Sequence, residues 1–153
     1  MAESPESLPS RIGWRGDVPA PTAAHPDWRI ARVIAQHRAG YELHDGAQAF
    51  NAQPAPRFLK PGIDPTERPA VGDFVQVSGH KPPSIEQILP RRSTLARAAA
   101  GERHLRQLIA TNIDTVMIVS GLDGDFNPAR IDRYLMLVEG SGAAAVVVLT
   151  KAD

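Results

Sequence analysis

Two textures of apolar residues divide the chain. From Trp28 to Leu89 apolar positions come in short runs broken by turn residues; from Ala110 they come in two continuous blocks with a helical stripe between them. The first texture predicts five short strands. Arg29–Ala35 is strand-like and His37–Gly40 turns the chain. Tyr41-Glu42-Leu43-His44 alternates apolar and polar, and Asp45-Gly46 is a hairpin signal. Ala47–Ala52, Phe74–Ser78 and Ser84–Leu89 supply the third, fourth and fifth strands, the fourth with clean alternation. Such spacing fits a small closed barrel of the OB type. Gln53–Ala70, rich in proline, reads as a long mobile loop.

The second texture has a different period. Ile113–Ser120 is β-branched and nearly all apolar, as a strand buried on both faces should be. Gly121–Phe126 is a loop. Asn127 then supplies a helix N-cap, with Pro128 at the first helical position, where its missing N–H is no loss. Ile131, Tyr134, Leu135 and Val138 make one apolar helical stripe, and Gly140-Ser141-Gly142 ends the helix. Ala143–Leu149 is a second strand expected to be fully buried. Strand, crossover helix and strand imply parallel strands in an open α/β sheet, where ligands bind beyond the carboxyl ends.

Thr150-Lys151-Ala152-Asp153 lies at such an end and matches the [Asn/Thr]-Lys-x-Asp element by which GTPases read guanine. The chemistry explains the residue types. A carboxylate, Asp153, accepts two parallel hydrogen bonds from guanine N1–H and the 2-amino group. Adenine offers an acceptor at N1 and no 2-amino group, so the charge would be left unpaired. The stem of Lys151 can cover the base, and Thr150 anchors the loop that carries the phosphates. The plain alternative is a strand followed by a polar turn.

Charge changes the picture only locally. The 153 residues carry 17 basic and 17 acidic side chains, so there is no global pull toward nucleic acid or anionic membrane. Yet Arg91, Arg92, Arg97, Arg103 and Arg106, with His104, face a single acid, Glu102. They read either as the outer face of a solvated linker helix over 95–109, or as phosphate contacts to RNA or an acidic partner. Cysteine is absent, which excludes disulfides and thiolate metal sites, and the five histidines show no ligand-like spacing. No apolar run approaches membrane-spanning length and no leader pattern opens the chain, so a cytoplasmic location is expected. The order is then a flexible tail (1–27) in which Ile12-Gly13-Trp14 is the part able to dock, a barrel (28–90), a basic linker (91–109), and the beginning of an α/β domain (110–153). None of the three lysines follows a glycine, so no G-x-x-x-x-G-K-[ST] phosphate loop is present. Either the guanine element is accidental, or the domain is circularly permuted and its phosphate loop lies beyond Asp153.

Several stretches carry a resemblance to a known family. They are Arg32–Arg38, Pro69–Val75, Ile88–Ser93, Thr111–Val116, Gly121–Asn127, Arg130–Leu135 and Val146–Asp153, in that order. The chain resembles the N-terminal part of the ribosome-small-subunit-dependent, circularly permuted GTPases (the RsgA, YjeQ or EngC family). The resemblance implies an OB barrel contacting small-subunit rRNA, followed by the start of a permuted P-loop-type GTPase domain. It also implies GTP with Mg²⁺ as ligand, a zinc module in the family's C-terminal part and a role in late maturation of the small subunit; a monomer is expected. Thr150 stands where the family more often has Asn. No catalytic residue and no metal ligand is expected in this chain, which should lack GTP turnover when isolated. A stand-alone RNA-binding OB module and a protein-binding scaffold remain as alternatives.

Overall fold

The structure is a computed structural model that describes residues 8–16, 24–98 and 106–152. It divides into two compact units, Met1–Arg91 and Arg92–Asp153. Among the described residues no helix is long and apolar enough to cross a membrane.

The first unit is a closed five-stranded barrel, in spatial order β1-β2-β3-β5-β4. The strands are β1 (Arg29–His37), β2 (Gly40–His44), β3 (Ala49–Pro54), β4 (Phe74–Ser78) and β5 (Ser84–Ile88). Four pairings are antiparallel, including β1 with β4. The barrel closes through a short parallel pairing of Gln53 and Pro54 with Ser84 and Ile85. A register shift between Val33 and Ala35 bends β1, as barrel closure requires. The alternation expected for these strands is what fills the interior. Leu43, Val75, Val77 and Ile85 are fully buried there with Ala31, Val33, Tyr41 and Phe58. Burying each large aliphatic side chain contributes about 1.5–3 kcal/mol.

Two expectations for this unit are corrected. The loop expected to be mobile is held: it carries 3-10 turns at Pro56–Leu59 and Pro65–Glu67, and Arg91 bonds to the carbonyls of Thr66 and Arg68 within it. The tail expected to be flexible is in part docked. A short helix, α1 (Leu8–Arg11), leads into Ile12 and Trp14, which pack on Ile30, Phe74 and Leu89. β4 is buried along its whole length rather than on one face, and at Phe74 the strap supplies the outer cover. Val75 and Val77 face the barrel interior, while Phe74 is covered from outside by the strap. Residues 1–7 and 17–23 of the expected tail lie outside the described residues.

The second unit opens with a hairpin, β6 (Thr94–Ala98) against β7 (Arg106–Thr111), where a linker helix over 95–109 was one reading. The β-branched Thr94, Ile109 and Thr111 and the inward Leu95 favour a pleated surface over a helical one. Ser93 staples the hairpin to the segment leading into the next strand: its Oγ accepts from the Ile113 amide and donates to the Ile113 carbonyl, both at 2.6 Å. Then come β8 (Thr115–Gly121), α2 (Pro128–Glu139) and β9 (Ala144–Thr150), with β8 and β9 parallel and in register from Thr115–Ala144 to Gly121–Thr150. The Asn127 side chain caps α2 by accepting from the Arg130 amide at 3.1 Å. At the other end Ser141 Oγ donates to the Val138 carbonyl, and Gly142 takes a left-handed φ of 85°.

The burial expected for these two strands is not found. Ile118 and Val138 are buried with Leu95, and Ile131 and Leu135 pack beside them. Tyr134, expected on the same stripe, is exposed, and so are Met117, Val119, Val146 and Leu149. For Met117, Val119 and Val146 the reason is geometric. Successive strand residues point to opposite faces, and α2 covers only the face of Val116 and Ile118. Val147 and Leu149 share the face of Ile118 by register and are exposed all the same.

Candidate functional site

The carboxyl ends of β8 and β9 lie side by side, because the parallel register brings Gly121 opposite Thr150. Beyond Gly121 the chain turns through Leu122–Phe126 and enters α2; beyond Thr150 it continues as Lys151 and Ala152. Two hydrogen bonds organise the turn. The Asp125 amide donates to Asp123 Oδ1 at 3.1 Å, and the Phe126 amide to the Asp123 carbonyl at 2.9 Å. A third ties it to β9: the Leu122 amide donates to the Thr150 carbonyl at 2.8 Å.

Lys151 is the residue at which the strand end changes direction. Its φ is 55°, a left-handed backbone that non-glycine residues adopt at a cost and mostly where the surroundings dictate it. Its ammonium reaches across the sheet end and forms an ion pair with Asp123 Oδ2. That contact is the chief reason the Asp123 carboxyl sits below its ordinary range, with the Asp125 amide adding to it. Gly121 makes room for the pair, since a Cβ there would meet Asp123 Oδ2 at 3.1 Å.

Of the residues singled out for guanine recognition, Thr150 and Lys151 are thus at the strand end, with the Thr150 backbone engaged by the neighbouring loop. Asp153 lies outside the described residues. Asp123 was not singled out. Its signal was indirect: an acid in the loop after the first strand of a parallel pair, facing the end of the second.

The arginines do not form one patch. Arg91 turns inward: Nε and Nη2 donate to the two oxygens of Asp73, each at 2.7 Å, and Nη1 and Nη2 reach the Thr66 and Arg68 carbonyls. Its donors are therefore used inside the first unit, and it is corrected from a candidate phosphate contact to a structural residue. Arg92 pairs with Asp114 at 3.6 Å, the two side chains 45% and 69% exposed. Arg97 lies opposite Gln107 and donates to its side chain, while Arg106 lies opposite Ala98. The alternation of the hairpin puts Arg97 and Arg106 on opposite faces. Arg103 lies outside the described residues.

The barrel carries a basic surface of its own that sequence reasoning missed. A groove of about 360 Å³ runs beside the β1–β2 turn, lined among others by His37, Arg38, Tyr41, Phe58, Leu59 and Arg68. Burial pushes the Tyr41 hydroxyl above its usual range, with Asp73 adding to this and Arg68 opposing it. The cue was available in sequence, as His37-Arg38 occupies the turn and Arg57 and Arg68 bracket the long loop.

Comparison with known proteins shows what the chain is similar to. Residues 88–153 match the family model described as RsgA GTPase. The chain is 48% identical to the small ribosomal subunit biogenesis GTPase RsgA of Xanthomonas euvesicatoria pv. vesicatoria, covering all of this chain and 44% of that protein. It is 53% identical to the protein of the same name from Xanthomonas campestris pv. campestris, over 86% of this chain and 36% of that one. The chain thus spans less than half the length of the curated relatives it matches. Among solved structures it is similar in fold to YloQ, a circularly permuted GTPase (TM-score 0.61, 22% identity, 84% of this chain and 42% of that one). It is also similar to YjeQ from Thermotoga maritima (TM-score 0.62, 21% identity, 82% and 42%).

Proposed function

We propose that this chain, a partial member of the RsgA GTPase family, carries the barrel and the guanine-reading edge of a GTPase acting in biogenesis of the small ribosomal subunit. One observation carries the reading. The sequence Thr150-Lys151-Ala152-Asp153 leaves the carboxyl end of a parallel strand pair, and Lys151 is already drawn across that end. Asp153 accepts the N1–H and 2-amino hydrogen bonds of guanine, the Lys151 stem covers the base, and Thr150 anchors the loop that carries the phosphates.

Affinity for GTP comes largely from groups around the phosphates and Mg²⁺, and hydrolysis needs those groups held in line. This chain does not supply them. It has no phosphate-loop sequence, and among the described residues no group of three or more His, Asp or Glu could hold a metal ion. The 153 residues alone are therefore expected to show no turnover, and no step is assigned to Mg²⁺ or to zinc here. Contact with small-subunit rRNA falls to Arg92, Arg97, Arg103 and Arg106 and to the basic groove of the barrel, in a monomer working in the cytoplasm.

Fluorescent GDP and ADP binding to the full-length product of the reading frame tests the nucleotide part. Preference for GDP is expected, and Asp153→Asn should move it toward xanthosine diphosphate, because an amide can donate to the 2-oxo group of xanthine. Preference for ADP overturns the proposal. The barrel groove favours a second reading, an RNA-binding OB module without nucleotide activity. RNA binding without any GDP binding would support that reading. Under either one, Arg38→Ala with Arg68→Ala should make the salt dependence of RNA affinity shallower.

A further inference from the structure

We propose that Asp123 is the positioning residue for Lys151: it fixes the ammonium at the far side of the sheet end, so that the lysine stem is laid down before a base arrives. The inference rests on the guanine reading of Thr150–Asp153 and names a residue that reading does not use.

The argument starts from the two oxygens of Asp123. Oδ1 accepts from the Asp125 amide and so shapes its own turn. Oδ2 has a separate task, the ammonium of Lys151, 28 positions later in the chain. Shaping the turn does not require the second contact. The surroundings nonetheless favour it. The loop is pinned to β9 one residue earlier by the bond from the Leu122 amide to the Thr150 carbonyl, so the carboxylate is held at the strand end. Gly121 removes the side chain that would crowd Oδ2. The left-handed backbone at Lys151 starts its side chain from a fixed direction.

Lysine has four rotatable side-chain bonds, and ordering it is among the larger entropic costs of binding. Here the stem is tied at its root by the strand and at its tip by Asp123, so a base that lies against it finds it ordered already. The pair itself is exposed, Lys151 at 67% and Asp123 at 35% of the side chain, so it adds little to fold stability. Its consequence is pre-organisation of the stem and not added fold stability.

A double-mutant cycle on the full-length gene product tests this with fluorescent GDP. Asp123→Asn keeps an oxygen for the Asp125 amide but loses the charge that holds the lysine. It is expected to raise Kd about three- to tenfold, mainly through faster release, with the melting temperature unchanged. Asp123→Glu should recover part of the loss. In a Lys151→Met background Asp123→Asn should have no further effect. An unchanged Kd for Asp123→Asn overturns the inference, and so does an equal loss in the Lys151→Met background, which would mark a role in the turn alone. Failure of the underlying reading looks different. The unmodified protein would then not discriminate GDP from ADP, and Asp153→Asn would not shift its preference, which removes both claims together.

Discussion

Arg91 and Asp73 form a two-pronged ion pair at the wall of the barrel, with Nε on Oδ1 and Nη2 on Oδ2, each at 2.7 Å. The Asp73 side chain is wholly buried and Arg91 is 18% exposed. Asp73 also accepts the Ala70 amide at 2.8 Å, so the pair fixes both ends of the proline-rich loop's last turn. Removing one partner of a buried pair leaves the other charge desolvated and unmatched. Arg91→Ala is therefore expected to lower the unfolding free energy by about 3–5 kcal/mol in urea titration. Arg91→Lys should recover little, because an ammonium cannot serve both carboxylate oxygens and two carbonyls in one plane. If Arg91 acted instead through RNA, Arg91→Lys would keep stability and lose only salt-sensitive affinity.

The strap at the amino end makes a second claim on stability. Trp14 meets Phe74 edge to face with ring centroids 5.2 Å apart, and Arg32 Nη1 donates to the Ile12 carbonyl at 3.1 Å. Gly46 is the seat of this strap: its φ is 96°, and a Cβ there would come within 2.0 Å of the Leu8 carbonyl oxygen. Gly46→Ala is expected to lift the strap and to cost about 1–2 kcal/mol in backbone strain besides. The readout is Trp14 fluorescence, which should shift to the red below the global melting transition. A single transition with an unshifted spectrum would show that the strap stays seated.

How far the sequence foretold this depends on how local each cause is. The five barrel strands were legible because alternation and turn residues are local signals, as in Tyr41–His44 followed by Asp45-Gly46. The parallel closure at Gln53–Ser84 was not, because two paired residues leave no periodic trace. The cap at Asn127-Pro128 was legible for the same local reason. The strap was seen only as Ile12-Gly13-Trp14, since two apolar residues define no period. The uses of Arg91 and Asp123 were hidden because their partners are 18 and 28 positions away. A run of arginines reveals charge but not which of them already has a carboxylate.

The second unit leaves apolar surface in view. Met117 and Val119, at 64% and 63% exposure, stand on the β8 face that α2 does not cover, with Val146 of β9 beside them. Contiguous apolar surface of this kind promotes association in water. In the isolated 153 residues, as distinct from the monomeric full-length product proposed above, Met117→Lys with Val119→Lys is expected to reduce dye binding by exposed apolar surface and to lower the association state seen in sedimentation. Amide exchange should be faster across Val116–Ser120 and Val146–Leu149 than across Phe74–Ser78, which is buried along its whole length. Equal protection in a monomer would contradict both expectations.

Acid should open the Lys151–Asp123 pair, and linkage gives the direction of the effect. The lysine contact first, and the Asp125 amide second, hold the Asp123 carboxyl below its ordinary value of 3.8. A group whose pKa is depressed on folding contributes its stabilisation in full above its unfolded value. That contribution is lost as pH falls through the lower, folded value. The turn at the sheet end is therefore expected to be unaffected between about pH 5 and pH 8, roughly a unit or more above the carboxylate range, and to loosen only below 3.8. Carboxyl carbon shifts in an acid titration measure this directly. Lys151→Met should move the Asp123 midpoint upward, yet leave it below 3.8 because the Asp125 amide still donates to Oδ1. High salt should move it the same way by screening the exposed ammonium. A midpoint that ignores both changes would mean that the ion pair does not persist in solution.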